Sequence, residues 1–257
     1  MVYKDQLDRT ITVAQRPKRI VSLVPSQTEL LVTLGLREFL VGITKFCVHP
    51  KNLKNEITIV GGTKKVNYDR IKNLSPDLII CNKEENTLEM VEELQKIASI
   101  WISDIVTIND SLEMIYQLGN ILNVSKKASE LVSEINSGLK DFEVFMNNKT
   151  FKKVAYLIWK NPYMGVGNQT FIQDILKLNK FENILQNKTS RYPEIIFEEL
   201  KEADLILLSS EPYPFKIEDV NEIKKALQKE VLLVNGEYFS WYGSRLKEAF
   251  TYLKTLH

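Results

Sequence analysis

The segment Arg19-Ile20-Val21-Ser22-Leu23-Val24-Pro25-Ser26-Gln27-Thr28-Glu29-Leu30 decides how the chain is read. Its first six residues are mostly apolar and β-branched, the composition of a strand buried on both faces. Pro25 ends that strand. Ser26-Gln27-Thr28-Glu29 has capping-box spacing, in which the Ser26 hydroxyl accepts from the amide of Glu29 and the Glu29 carboxylate reaches back. Leu30, Leu31 and Leu34 continue a helix that Gly35 closes. A strand, a tight turn and a helix N-terminus follow one another, as at the opening of an α/β unit.

The same rhythm runs outward from this segment. Leu40–Ile43, Ile57–Val60, Asp77–Cys81 and Ser99–Ile102 read as short strands, the last after a helix over Leu88–Ile97. Such alternation predicts a mostly parallel sheet covered by helices on both faces. At Asp110 the character changes. Asp110-Ser111-Leu112-Glu113 is a second capping box, and Leu112, Ile115, Leu118 and Leu122 share one helical face. A longer helix follows from Ser125 to Asn148, with Ala128, Leu131, Val132, Ile135, Leu139, Phe142 and Met146 on its apolar stripe. It would be roughly 35 Å long at 1.5 Å per residue. The α/β rhythm then resumes with strands at Val154–Trp159, Asp204–Leu208 and Val231–Val234, and with helices over Thr170–Leu178 and Ser244–Leu256. The expected fold is α/β, in two lobes that are each a mostly parallel sheet with flanking helices. The N-terminal lobe covers residues 1–122, a rigid interdomain helix 123–149, and the C-terminal lobe 150–257.

An internal echo supports two lobes of similar build. Tyr68-Asp69-Arg70-Ile71-Lys72-Asn73-Leu74 leads into the strand from Asp77, and Phe197-Glu198-Glu199-Leu200-Lys201 leads into the strand from Asp204.

Composition excludes several functions. The 257 residues carry a formal net charge of +1, with Lys and Arg scattered among Asp and Glu. Nucleic-acid binding needs a concentrated basic face, so no nucleic-acid partner is expected. The two cysteines, Cys47 and Cys81, make no disulfide framework. No stretch approaches the roughly 20 apolar residues of a membrane span. The opening residues lack the apolar core of a signal peptide, which leaves a cytoplasmic protein or one exported by a further segment. There is no Cys-x-x-Cys, no phosphate-cradling glycine loop and no nucleophile elbow; Gly165-Val166-Gly167 lacks the third glycine of a dinucleotide fingerprint. With His49 the only histidine before His257, acid–base catalysis has little to work with. No enzyme activity and no catalytic cofactor are expected.

Open α/β sheets bind ligands beyond the carboxyl ends of their strands. Those positions hold Ser26 and Gln27, Lys45 and Phe46, Thr63 and Lys64, Asn82 and Glu84 in the first half. In the second half they hold Trp159 and Tyr163, Glu211 and Tyr213, and the cluster Phe239, Trp241, Tyr242 and Arg245. Aromatic walls with a few polar anchors suit an organic ligand. Either packing at a loop–helix junction or a ligand wall would explain the last cluster, and the arginine beside three aromatics favours the wall. Cys47 and His49 offer two soft metal ligands, too few to close a site alone.

In order and spacing, the segment from Arg19 to Leu30 resembles the helical-backbone substrate-binding proteins of bacterial ABC importers, most of all those for cobalamin. So do Val41-Gly42-Ile43 to Pro50, Val60 to Ile71, Leu74-Ser75-Pro76-Asp77, Asn161-Pro162-Tyr163 to Gly167, Phe181-Glu182-Asn183-Ile184 and Arg191-Tyr192-Pro193. The resemblance implies a monomer that captures a metal-containing ligand between two lobes: cobalamin or a related corrinoid, haem, or a ferric siderophore. It adds Arg191 and Tyr192 to the ligand residues. It also implies that Asp69 and Glu198 dock onto the importer's permease, and that the protein works in the periplasm or at the cell surface. Two tryptophans of the family's cobalamin site fall here at Thr63 and Asn82, and Lys64, Lys83, Glu84 and Glu85 give a more charged rim. These departures widen the expected ligand from cobalamin to other corrinoids, haem or an anionic chelate. A cytoplasmic corrinoid or haem carrier, and a chelatase-like enzyme on the same plan, are the alternatives.

Overall fold

A computed structural model describes residues 1–13 and 16–257. The chain divides into two compact units that interleave in sequence. The first comprises Met1–Asp104, Asn109–Ile135 and Tyr242–Arg245; the second comprises Ile105–Ile108, Asn136–Trp241 and Leu246–His257.

The first unit opens with a hairpin of β1 (Val2–Lys4) and β2 (Thr10–Thr12), which the sequence reading did not anticipate. Then come β3 (Ile20–Ser22), α1 (Pro25–Thr33), β4 (Leu40–Thr44), α2 (Leu53–Glu56), β5 (Thr58–Gly61), α3 (Tyr68–Asn73), β6 (Leu78–Asn82), α4 (Leu88–Leu94), β7 (Ser99–Ser103) and α5 (Ile108–Ile121). The five strands β3–β7 form an all-parallel sheet in the order β5-β4-β3-β6-β7. Its central strands are buried along their whole length, as a sheet covered on both faces requires. Val21, Ile79, Cys81, Met90, Leu94 and Ile100 belong to one core beneath it.

The hairpin covers the β7 edge, which would otherwise offer unpaired backbone groups for aggregation. Gln6 N–H donates to Ile102 O at 3.2 Å. Asp5, wholly buried, accepts from the amides of Leu7, Arg9 and Ile102 and from the Arg9 guanidinium.

Helix α6 (Ser125–Met146) runs from the first unit into the second, the division falling between Ile135 and Asn136. Its apolar stripe is buried as spaced except at Leu139, which is half-buried, and Gly138 lets the Phe250 ring approach: a Cβ there would lie 3.1 Å from it. The helix ends two residues short of the expected Asn148, in a turn closed by Lys149 N–H on Met146 O.

The second unit contains β8 (Lys152–Trp159), β9 (Met164–Gly165), α7 (Phe171–Leu178), β10 (Phe181–Asn183), a 3-10 helix at Phe197–Glu202, β11 (Leu205–Ser209), α8 (Ile217–Leu227), β12 (Glu230–Val234), α9 (Glu237–Ser240) and α10 (Leu246–Lys254). Its sheet runs β10-β8-β11-β12, all parallel, with β9 antiparallel on β8. The two echo segments occupy equivalent places. Helix α3 leads into β6 and the 3-10 helix into β11, and each of those strands pairs with the first strand of its sheet.

Candidate functional site

In the first unit the chain order reverses between β3 and β6. Loops leaving adjacent strands part at such a reversal, and ligands bind beyond the strand ends there. Helix α1 starts at this point with Val24 as N-cap, Pro25 in the first turn and no side-chain cap. This corrects the capping-box reading. Proline has no N–H to satisfy and is preset for the first helical position, so the helix begins two residues earlier, with its cap at Val24 rather than Ser26, and Ser26 and Glu29 fall inside it. The expected box at Asp110 is likewise displaced, because α5 begins at Ile108, whose amide donates to Asp174 at 2.9 Å.

A neutral, buried polar cluster fills the reversal. Gln27 Nε2 donates to Ser103 Oγ at 2.5 Å and to the Tyr242 hydroxyl at 3.3 Å. Asn82 Nδ2 donates to the same Ser103 Oγ at 3.0 Å, while Asn82 Oδ1 accepts the amides of Glu84 at 2.8 Å and Glu85 at 3.0 Å. Burial holds the Tyr242 phenol well above its usual range, so it remains a neutral hydrogen-bonding group. Gln27 Oε1 and the neighbouring Ser26 Oγ are buried and have no hydrogen-bond partner among the described residues. Asn82 is thus placed to shape the β6 loop from beneath.

The rim above is solvated. Phe46 is 48% exposed, with Lys45 Nζ 5.0 Å over its ring. Lys64 Nζ donates to Glu84 O at 2.5 Å and Asn86 Nδ2 to Thr63 O at 2.8 Å, which joins the β5 and β6 loops. Cys47 is wholly buried, its sulfur 3.2 Å from Thr28 Oγ1 and 3.3 Å from Thr44 Oγ1. Burial pushes its thiol pKa up, which disfavours the thiolate a metal would need. Half-buried His49 lies two residues on. Among the described residues no group of three or more His, Cys, Asp or Glu is disposed to hold a metal ion.

In the second unit the reversal lies between β8 and β11. Trp159, 40% exposed, packs edge-on against Tyr213 with ring centroids 5.6 Å apart. Tyr163 stacks obliquely on Phe197 at 5.7 Å. Between them Lys160 is drawn to Asp219 and Glu222, each at 2.7 Å, which anchors the β8 loop to α8. Glu211 Oε1 accepts from Ser240 Oγ at 2.7 Å and Trp241 Nε1 at 3.0 Å. Arg191 and Tyr192 lie on a half-buried segment strapped to Gly165 and Gly167 by the amides of those glycines. A Cβ at Gly167 would lie 2.5 Å from Ser190 O, so this strap needs glycine.

The four side chains of the 239–245 cluster expected to form a ligand wall are buried and packed or bonded within the fold. Phe239 is wholly buried against Tyr156 at 4.9 Å. Trp241 is buried and bonded to Glu211, Tyr242 is buried against Gln27, and the Arg245 guanidinium takes Glu29 in a bidentate pair at 2.7 and 3.1 Å. Aromatic content alone did not distinguish a wall from a core. Ser103 and Asn86 were missed. Ser103 is the last residue of β7, one position beyond the expected strand Ser99–Ile102, so the signal that finds it is its place at a strand end.

Asp69 is exposed in the first turn of α3, behind an Asn67 N-cap whose side chain accepts from Arg70 N–H at 2.8 Å. Glu198 is exposed in the first turn of the 3-10 helix and pairs with Lys201. Among the described residues no helix is long and apolar enough to cross a membrane.

A family model described as "Periplasmic binding protein" matches residues 20–233. An ABC transporter substrate-binding lipoprotein of Bacillus subtilis is 28% identical over 198 residues, which cover 72% of this chain and 61% of that relative. The vitamin B12-binding protein of Pectobacterium carotovorum is 25% identical over 90% of this chain and 84% of its own. Among solved structures, the periplasmic vitamin B12-binding protein of Vibrio cholerae superposes with a TM-score of 0.81 at 20% identity, covering 93% of this chain and 96% of that one. A periplasmic haem-binding protein from Roseiflexus gives 0.80 at 17% identity, covering 93% and 97%. These folds have the two-lobed α/β plan, and their common description is of binding proteins rather than enzymes. With most of its length matched by the family model, the chain belongs to the periplasmic binding protein family.

Proposed function

We propose that this protein is the substrate-binding component of an ABC importer and captures a bulky metal-containing ligand: cobalamin or another corrinoid, haem, or a ferric siderophore. The observation that carries the reading is the pairing of family membership with two parallel sheets whose strand-end loops present exposed aromatics, Phe46 after β4 in one unit and Trp159, packed on half-buried Tyr213, in the other. Exposed rings beside polar anchors suit a large, partly aromatic ligand. Lys45, Thr63, Lys64 and Glu84 from the first unit, and Tyr163, Arg191 and Tyr192 from the second, complete the proposed contacts. The vitamin B12-binding and haem-binding relatives support the ligand range. Purification from the native host, followed by an absorbance spectrum and mass analysis of bound material, tests this. A corrin or Soret band, or a ferric chelate mass, is expected. Protein that carries none of these and takes up none on titration would refute it.

The same reading makes Asp69 and Glu198 the permease contacts. Each is an exposed acid in the first turn of an equivalent element, and charge complementarity would orient docking more than strengthen it. Asp69→Arg with Glu198→Arg should abolish uptake while leaving ligand affinity unchanged; unimpaired uptake would remove the docking role. The periplasmic and lipoprotein relatives support a place outside the cytoplasmic membrane, which fractionation of the native host would check.

A further inference from the structure

The first unit's strand-end lysines differ from their counterpart in the second. Lys160, in the loop after β8, is neutralised twice over, by Asp219 and Glu222. Lys83, after β6, is paired with Asp104 at 2.5 Å. Lys45, Lys64 and Lys65 are exposed, and no carboxylate among the described residues forms an ion pair with them.

These three lysines share one loop cluster. Lys45 N–H donates to Gly61 O at 2.8 Å, and Gly62 N–H donates to Lys65 O at 2.8 Å. A Cβ on Gly62 would lie 3.7 Å from Lys45 Cε. Gly61 sits at φ +144, and a Cβ there would stand 2.5 Å from Lys65 O, so the tight turn that presents Lys64 and Lys65 depends on glycine. Lys64 spends one of its three donors on a backbone carbonyl, which orients the ammonium without neutralising it. Phe46 borders this turn, with Lys45 over its face and its ring 3.3 Å from a Cβ built on Gly62.

The nearby acids Glu84 and Glu85 are half-buried and have interactions of their own, and neither forms an ion pair with these three lysines among the described residues. Exposed lysines without ion-pair partners, carried on adjoining loops that also bear an exposed ring, fit an anion attached to an apolar body.

We infer that Lys45, Lys64 and Lys65 select an anionic metal complex, one bearing carboxylate or catecholate oxygens, over an uncharged corrinoid. The inference rests on the receptor function proposed above. It names ligand charge as the specificity determinant and these lysines as its readers.

The test titrates the full chain with three probes: haemin, a ferric tris-catecholate and cyanocobalamin. The chain is compared with the variant Lys45→Gln/Lys64→Gln/Lys65→Gln, whose exposed substitutions leave the core untouched. At least one anionic probe should bind more tightly than cyanocobalamin. The triple variant should lose about tenfold or more of that affinity and most of its salt dependence, as removal of partly screened charges requires. A triple Lys→Arg variant should retain both. Haemin dimethyl ester separates the two sources of charge: lost binding relative to haemin points to carboxylates, whereas preference for the ferric complex points to catecholate oxygens. Tight cyanocobalamin binding that the triple variant leaves unchanged, with weaker binding of both anionic probes, would overturn the lysine inference and leave the receptor function standing. Failure to bind any probe or any ligand from the native host would overturn both.

Discussion

Arg245 and Glu29 lie 216 positions apart in the chain and are joined by two hydrogen bonds, with only 8% and 19% of their side chains exposed. The pair fastens the Tyr242–Arg245 segment to α1 within the first unit. Gln27 Nε2 of α1 also donates to the Tyr242 hydroxyl at 3.3 Å, and Gly243 N–H donates to Ser111 Oγ of α5 at 2.9 Å.

Removing one partner strips a largely buried charge of its bidentate counter-ion. Glu29→Ala should therefore destabilise the protein by about 2–4 kcal/mol. Urea unfolding of Glu29→Ala, Arg245→Ala and the double variant would measure this. The double variant should lose less than the sum of the two singles.

Asp5 gathers three backbone amides and the Arg9 guanidinium on one buried carboxylate. Asp5→Ala leaves those donors without their acceptor, at a cost of about 3 kcal/mol. Hydrogen exchange should localise the damage to the hairpin and β7. Uniform loss of protection across both units would contradict this placement.

Both cysteines are buried, and burial pushes the Cys81 thiol from its ordinary 9.0 up to about 12. Native protein at pH 8 should react with iodoacetamide only on unfolding. The sign of the linkage follows: a thiol whose folded pKa is raised contributes stability below the unfolded pKa, and that contribution disappears as pH climbs from about 9 towards 12. Cys81→Ala should flatten stability over that window while creating a small cavity.

The His257 ring stacks on Phe181 at 5.0 Å and meets Asn179 Oδ1 at 3.2 Å. Burial first, then Lys149 and Lys152, lowers its pKa from 6.5 to about 4. Because the folded pKa is depressed, the unfolded chain takes up the proton first. Stability is therefore full above about pH 6.5 and falls as pH drops towards 4. A proton NMR titration should find the ring neutral at pH 5.5. His257→Phe should remove this component of acid sensitivity.

The alternating apolar segments made both parallel sheets legible, because a strand buried on two faces must be apolar along its whole length. The helical stripe from Ala128 to Met146 was legible for the same reason, as was the echo that places Asp69 and Glu198 at equivalent points. The hairpin at Val2–Thr12 escaped notice because its stability comes from Asp5 and the β7 edge, not from local apolar pattern.

Sequence by itself determined the fold class, the succession of most strands and helices along the chain and the loops that could carry a ligand, since periodicity and turn chemistry are local properties of neighbouring residues. Tertiary structure alone decided which residues of those loops stay available. Glu29 reads locally as a cap and Arg245 as an anchor, yet they satisfy each other. Phe239, Trp241 and Tyr242 read as a wall, yet they pack inward, while Phe46 and Trp159 remain at the surface. Partners hundreds of positions apart settle whether a charge or a ring is spent on the fold, and no local pattern reports them.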